Sequence, residues 1–460
     1  MNRRHTGVSC FIINSVMRKN ENWTGTCIGY TWDGLGVVRF GDIVFFVPGL
    51  IEGEEAELSI TAMKKNYGYA RIVNLIKESR HRVKPACPVY RQCGGCQLMH
   101  MDLEEQKRFK EEKVANLFLQ NAHMQVMVQP ILEGDHLSAY RNKVQVPVQL
   151  NNGKTQMGFY ANRTNRIVEY DTCAVQSDLS NEIVSKFKQW LPELGCTKSF
   201  RHVLIKHAHR TSQVMICMIV RDYPFNNSDA LVHRITQTWP EVKSISCIVN
   251  RREDNVILDG TQIQIYGEPY IEEKLLDCRF RISARSFFQI NPYATQILYS
   301  TAIDYAQLTG SETVIDLYCG TGTIGILASR HAKKVYGIEV VADAIKDAKV
   351  NAELNDVHNI DFFTADAKDG ARKLIQNNVK ADVVIVDPPR KGCSRETLEA
   401  INTIAPKRLV YVSCDPATLA RDCAILNEMN YEVQKVQPVD MFPGTLHVET
   451  VVLMSRVEGK

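Results

Sequence analysis

Residues 313–330 read "TVIDLYCGTGTIGILASR". The opening "TVIDL" is β-branched and apolar apart from Asp316, the pattern of a short buried strand. A turn carrying Gly320 and Gly322 follows, and then the apolar run of a helix. Glycines at such a turn let the backbone approach a ligand, and the helix N-terminus offers it N–H groups. The pattern is not the G-x-G-x-x-G of dinucleotide binders, and alone it is weak evidence. The chain beyond it repeats the plan. "KVYGIEV" (334–340) ends a strand at Glu339, about twenty residues on, placed to accept hydrogen bonds from ribose hydroxyls. "IDFFTADA" (360–367) carries Asp366 at its end, suited to an adenine amino group, and "ADVVIVDPPRKG" (381–392) ends in Asp387 and two prolines. A capping or turn role explains each acid alone. Four successive strand ends, polar or glycine-rich on one edge, are where open α/β sheets bind ligands. From about Ala284 onward strands and helices alternate with βαβ spacing, which predicts a parallel sheet covered by helices over 285–460.

The fifth strand end is "YVSCDPATLARD" (411–422). Asp415 suits an N-cap and Pro416 the first helical position, so Cys414 falls between a strand end and a helix N-terminus. The helix dipole favours a thiolate there, and Asp415 next to it opposes one, its charge partly offset by its capping role. A small buried cysteine is the ordinary alternative.

Working back toward the N-terminus, residues 11–77 show short apolar strands punctuated by glycine, as in "TGTCIGYTWDGLGVVRFGDIVFFVPGL" (24–50). Their even spacing predicts a small β-barrel of the oligonucleotide-binding kind. "KKNYGYARI" (64–72) interleaves basic and aromatic side chains, which suits phosphate contact and base stacking. Ordinary strand-edge lysines and sheet tyrosines explain it equally well. Between them, residues 79–284 hold an amphipathic helix, "LEEQKRFKEEKVANLFLQ" (103–120), and alternating stretches such as "RHVLIKHAHRTSQVMICMIV" (201–220). The latter predict an antiparallel sheet with a polar, basic face. On it His202, His207 and His209 would be solvated or RNA-facing rather than metal-bound.

Composition sets the limits. At 460 residues the chain has room for two to four domains, and 45% hydrophobic with 23% charged residues describes a folded protein. A net charge of +3 does not by itself argue for a polyanionic partner. No apolar run is long enough to span a bilayer, and "MNRRHTGVSCFIINSVM" lacks a cleavage site and is interrupted by Asn14, so neither membrane insertion nor a signal peptide is expected. Fourteen cysteines, mostly scattered singly, fit a reducing cytoplasm. One cluster stands out: "CPVYRQCGGCQ" (87–97) supplies Cys87, Cys93 and Cys96 within ten residues, and Cys173 in "EYDTCAVQ" is the best fourth ligand. On spacing, zinc and a [4Fe-4S] cluster stay open. Cys217, Cys247 and Cys278, in apolar strands, are expected to pack, and Cys319 and Cys393 lie near the pocket without assigned chemistry.

The ordered strand ends resemble the S-adenosylmethionine-dependent methyltransferases of Rossmann-like fold. With "SCDP" as the fifth, the chain resembles the RNA (uracil-5-)-methyltransferase family along nearly its whole length. Residues 11–77 look like that family's TRAM domain, and "FFQINPYATQ" (287–296) like the segment leading into its catalytic domain. The resemblance implies that Gln289, Tyr318, Glu339 and Asp387 line the cofactor and target-base pocket. It also tips the cysteine cluster to [4Fe-4S], as in the ribosomal-RNA members, and makes Glu449, in "MFPGTLHVETVVLM" (441–454), the base that pairs with Cys414.

The chemistry needs such a pair. Carbon 5 of uracil is too weak a nucleophile to attack a methylsulfonium unaided, and thiolate addition at carbon 6 turns the ring into an enolate. The proton on carbon 5 must later leave, which needs a base. A target base must leave its stack to reach both groups, so single-stranded or loop RNA is the expected substrate. The reading is carbon-5 methylation of a uridine in 23S ribosomal RNA by a cytoplasmic monomer. The same reaction on transfer RNA is the nearest alternative; the barrel and cluster argue against it. Cytosine-5 enzymes place the thiol after proline, and methylation of an exocyclic nitrogen favours an aromatic where this chain has Arg390. A non-catalytic RNA-binding iron–sulfur protein is the alternative of a different class.

Overall fold

The computed structural model describes residues 18–457; the first part of the expected barrel, from Phe11, and the whole of the N-terminal stretch 1–17 lie outside them. Five strands, β1 (Asn22–Tyr30), β2 (Leu35–Phe40), β3 (Ile43–Pro48), β4 (Glu55–Met63) and β5 (Tyr67–Lys77), close into a barrel in the order β1-β2-β3-β5-β4. Their alternation sends Val38, Phe45, Val47, Leu58 and Ile60 inward, all fully buried. The barrel, with residues up to Val83 and His100–Asp102, is one compact unit, and the rest of the chain is the second.

The second unit opens with the cysteine segment, helix α1 (Leu103–Ala122) and the short strand β6 (Leu132–Glu133). Strands β7 (Lys143–Asn151), β8 (Lys154–Tyr160), β9 (Ile167–Glu169), β10 (Phe200–Ala208), β11 (Gln213–Val220), β12 (Val242–Val249) and β13 (Thr261–Gly267) form a sheet in the order β13-β12-β11-β10-β7-β8-β9. Helices α2 (Asp178–Glu193) and α3 (Ser228–Thr238) contribute to the core beside it. Two expectations fail here. The sheet is mixed, because β11 and β12 run parallel. It has no polar face at β10 either: a second apolar cluster, with Ile271 and Ile282, covers the side opposite the α2–α3 core. His202 is buried as a result, with its imidazole pushed down to about 4 by loss of water and by Arg201, and His207 and His209 are half-buried.

A hairpin, β14 (Tyr270–Leu275) and β15 (Cys278–Ser283), leads to the last layer. This comprises α4 (Pro292–Ala306), β16 (Thr313–Leu317), α5 (Thr323–Ser329), β17 (Lys334–Glu339), α6 (Ala342–Leu354), β18 (Ile360–Thr364), α7 (Ala367–Gln376), β19 (Val383–Val386), α8 (Arg395–Ile404), β20 (Arg408–Ser413), α9 (Pro416–Glu428), β21 (Tyr431–Asp440) and β22 (Glu449–Arg456). The sheet order is β18-β17-β16-β19-β20-β22-β21-β6, parallel from β18 to β20, with β22 antiparallel to both its neighbours. Apolar clusters fill both faces, as βαβ crossovers require. The parallel strands therefore end on one edge, and β22, running the other way, starts there. Among the described residues no helix is long and apolar enough to cross a membrane.

Candidate active site

The edge carries two groups of residues. At the first, Tyr318, Gly320 and Gly322 all take left-handed φ, +65°, +55° and +82°, which folds the chain tightly over the start of α5. A Cβ at Gly322 would lie 2.9 Å from the Phe362 ring. Glu339, at the end of β17, accepts from the N–H of Gly320 (3.2 Å) and of Val341 (2.9 Å), so it ties the glycine turn to the next loop. Asp366 does cap α7, accepting from the Lys368 N–H at 3.2 Å. Val340 and Val341 stand exposed beside Glu339, an apolar patch that no sequence pattern marked. Tyr318 is half-buried, and its phenol lies close to Cys393 and Thr397.

The second group is set by strand register. Ser413 of β20 pairs with Thr450 of β22, so the next residues toward the edge, Cys414 and Glu449, are neighbours. Asp415 caps α9 as expected, its Oδ1 accepting from Ala417 and Thr418 N–H groups at 3.0 and 3.3 Å, with Pro416 in the first helical position. The thiol nevertheless does not favour ionisation. Burial, then the charges of Glu449 and Asp387, push Cys414 up to about 12, and Arg390 opposes them. Burial and Asp387 push Glu449 up to about 8, again against Arg390, and burial holds Asp387 at about 7. Asp316, buried beneath them, is raised well above the carboxylate range. Crowded acids of this kind hold protons at neutral pH and release them when a cation arrives.

Three further residues complete this end, and sequence reasoning did not place them in the site. Arg390 lines the open side together with Phe442, Thr445 and His447. Tyr299 of α4 is wholly buried with its hydroxyl near Gln289, Asp387 and Glu449. His447 is pushed down to about 4 by burial and by Arg390. The only available signal for Arg390 was its place after "DPP".

Neighbouring elements hold these groups still. The loop from Pro388 to Cys393 is clamped on one face of α9: Thr418 Oγ1 donates to the Arg390 carbonyl (3.0 Å), and Arg421 donates to the Lys391 carbonyl (2.9 Å). Asp422 accepts from the Cys393 N–H (2.8 Å) and the Tyr411 hydroxyl (2.6 Å). Gly392 takes a left-handed φ of +74°, which favours glycine, and a Cβ there would lie 2.6 Å from the Arg421 guanidinium and the Asp422 carboxylate. The loop before Glu449 is pinned by α1, where buried Lys110 donates to Asp440 (2.7 Å) and to the Phe442 carbonyl (3.2 Å). Gln289 is held through its carbonyl by Asn142 Nδ2 (3.0 Å), and Lys206 donates to the carbonyls of Ser283 and Ser286 just upstream (2.7 and 2.8 Å).

Beyond Arg390 the site opens into a cleft of about 880 Å³ that runs along β7 to the β8–β9 loop. One wall is shared with a second cavity, of about 50 Å³, since Gly95, Arg141 and Phe159 line both. Cys87, Cys93, Cys96 and Cys173 all line that smaller cavity, so the four thiols singled out by spacing do come together. Burial and mutual proximity raise Cys93 and Cys173 and push Cys96 up to about 12. Among the described residues, no three cysteine, histidine or acidic side chains converge closely enough to hold a single metal ion. Cys217, Cys247 and Cys278 are fully buried packing residues, as expected, and Cys319 and Cys393 are buried near the pocket.

Similarity to known proteins agrees with this geometry. The chain is 40% identical to an uncharacterized RNA methyltransferase of Clostridium tetani over 447 residues, covering 95% of this chain and 97% of the other. It is 42% identical to one of Oceanobacillus iheyensis, covering 95% and 96%. Among solved structures it superposes on the Pyrococcus abyssi tRNA (uracil-54, C5)-methyltransferase in complex with S-adenosyl-L-homocysteine. The TM-score is 0.73 at 27% identity, covering 94% of this chain and 99% of that one. Residues 103–457 match the tRNA (uracil-5-)-methyltransferase family. An α/β fold with the cofactor edge of a methyltransferase, near-full-length relatives and this match lead to one assignment: the chain belongs to the S-adenosylmethionine-dependent RNA (uracil-5-)-methyltransferase family.

Proposed function

We propose that this enzyme methylates carbon 5 of a uridine in 23S ribosomal RNA, with Cys414 as nucleophile and Glu449 as base. The observation that carries the reading is the β20–β22 register, which sets this thiol beside this carboxyl at the cofactor edge. Gln289, Tyr318, Gly320, Gly322, Glu339, Asp366 and Asp387 are assigned to the cofactor pocket. Bound S-adenosylmethionine supplies an electrophilic methyl group and a sulfonium cation. Arg390 opposes the acids around Cys414, and the positive charge of a bound cofactor would act in the same sense, easing transfer of the thiol proton to water in the open cleft. The thiolate would bond to carbon 6 and the displaced electron pair would pass to the ring oxygen as an enolate; carbon 5 would then take the methyl group, the broken bond's electrons staying on the departing sulfur as a neutral thioether. Glu449 accepts the proton from carbon 5, the carbon–sulfur bond breaks, and the thiolate returns. Glu449 would act in its ionised form, which Arg390 favours, and the burial that raises it to about 8 makes that carboxylate a stronger proton acceptor.

Cys87, Cys93, Cys96 and Cys173 are assigned as ligands of a [4Fe-4S] cluster. Four thiols lining one cavity support a shared metal centre, and the resemblance to the ribosomal-RNA members favours the cluster over tetrahedral zinc. The cluster supplies no step in the reaction and would brace the segment beside the cleft. Protein purified without oxygen should be brown and carry iron with acid-labile sulfide; stoichiometric zinc without sulfide would refute the assignment.

The superposition on a transfer-RNA enzyme over 94% of this chain favours a second reading, the same reaction on transfer RNA. Because the superposition extends over so much of the chain, the overall architecture does not by itself separate the two substrates. Mapping 5-methyluridine in both RNA pools from a strain lacking the enzyme decides. Loss from 23S ribosomal RNA alone supports the proposal, and loss from transfer RNA alone replaces it.

A further inference from the structure

We infer that the β8–β9 loop, residues 161–166, reads the nucleotides next to the target base, so that sequence choice is made on a different element from the chemistry. This rests on the reading of the cleft as the path of a single-stranded RNA. The loop, "ANRTNR", is built as a rigid display. Ala161 N–H donates to the Arg166 carbonyl (2.9 Å) and Thr164 N–H to the Ala161 carbonyl (3.1 Å). Thr164 Oγ1 accepts from the Arg166 N–H (3.2 Å), and Arg163 takes a left-handed φ of +57°. The cysteine segment braces it from behind, with Gly94 N–H donating to the Tyr160 carbonyl (3.2 Å) and Cys93 bridged to Ala161.

With the backbone fixed in this way, Asn162, Arg163 and Asn165 are exposed and line the cleft. Asparagine pairs a donor with an acceptor and arginine presents a fork of donors, both suited to reading unstacked base edges, and Tyr160 next to them offers a ring for stacking. The cleft wall supplies the charge: Arg141, Lys143, Arg163 and Arg390 line it, with no aspartate or glutamate among the described lining residues. At about 880 Å³ it has the size of a large small-molecule site, more than one flipped base needs.

The test uses the full-length protein carrying Asn162→Ala with Asn165→Ala. The probes are a synthetic RNA spanning the mapped methylation site and a scrambled RNA of the same composition. The variant should bind the cognate RNA roughly tenfold more weakly while scarcely changing on the scrambled one, with an unchanged salt slope. Arg163→Gln should lower the salt slope by about 1 if it touches phosphate, or act like the asparagines if it reads a base. The binding assay is done in a Cys414→Ala background, so a wrong assignment of the nucleophile does not alter it. Calorimetric binding of S-adenosylmethionine establishes that each variant is folded; Asn162→Ser is the fallback if the double variant is not. Discrimination between the two RNAs equal to wild type, in a folded variant, overturns the inference. So does equal weakening on both RNAs, which would make the loop a general electrostatic contact.

Discussion

Cys414 and Glu449 are adjacent, yet their substitution should give opposite readouts. Cys414→Ala should abolish turnover and every covalent adduct, because no enolate forms without the thiolate. Glu449→Gln should still add to the ring and accept the methyl group, but carbon 5 keeps its proton. A methylated protein–RNA adduct should then accumulate and survive denaturing electrophoresis. Loss of both turnover and adduct in Glu449→Gln, with cofactor binding intact, would remove Glu449 from the role of late base. The same residue makes a prediction about stability. Burial lifts Asp387 and Glu449 to about 7 and about 8, above the range near 4 expected in the unfolded chain. Between those values the native state binds more protons than the unfolded one, so stability falls as pH rises. Thermal melts should show Glu449→Gln gaining on wild type from pH 5 to pH 8.5; a growing deficit would mean that Glu449 is charged and paired. Residue types at strand ends were legible in the sequence because strand-to-helix turns announce themselves locally. The protonation of Cys414 was not. Asp415 and the helix start are sequence neighbours, but Glu449 and Asp387, which dominate among the charges, arrive from other strands.

Elements that support the site show where sequence patterns stop. Helix α1 was evident from its amphipathic spacing, and its most informative residue breaks that spacing. Lys110 is fully buried and meets Asp440 of β21 at 2.7 Å. Removing one partner of a buried pair leaves an uncompensated charge, so Lys110→Met should cost about 3–5 kcal/mol in chemical denaturation. A cost near zero would mean that the pair contributes little. The central sheet failed for a related reason. Alternation in "RHVLIKHAHRTSQVMICMIV" marks polar positions, but it does not say whether a second layer covers them. Here Lys206 is buried and donates to two carbonyls, of Ser283 and Ser286, just upstream of Gln289. The βαβ layer was readable from β16 to β20, where strands alternate with helices, but the expected parallel sheet does not extend to β22, which runs antiparallel to β20 and β21.

For the whole molecule, a net charge of +3 conceals its distribution. The cleft wall is basic without any acid among its described residues, and the barrel has its own candidate surface. There Phe46, Tyr67 and Tyr69 form a cluster with ring centroids 5.6 to 5.8 Å apart, close in sequence to Lys64 and Lys65. If this surface binds RNA, Lys64→Gln with Lys65→Gln should lower the salt slope of binding by about 2 and leave cofactor affinity alone. An unchanged slope would make the barrel a structural or partner-binding module.

The position of β22 has a consequence for quality control. It lies between β20 and β21, and its first residue is Glu449. A molecule in which this strand has not docked, or has transiently opened, leaves β20 with an unsatisfied flank and Cys414 without its neighbour. The cofactor turn, borne by β16 and β17, is elsewhere in the sheet and can stay formed. With Glu449 as the proton acceptor proposed above, completion of this sheet and possession of that acceptor would be one event. Immature or partly opened copies would bind cofactor without releasing product, and the active fraction should follow amide-exchange protection of β22 rather than that of the glycine turn.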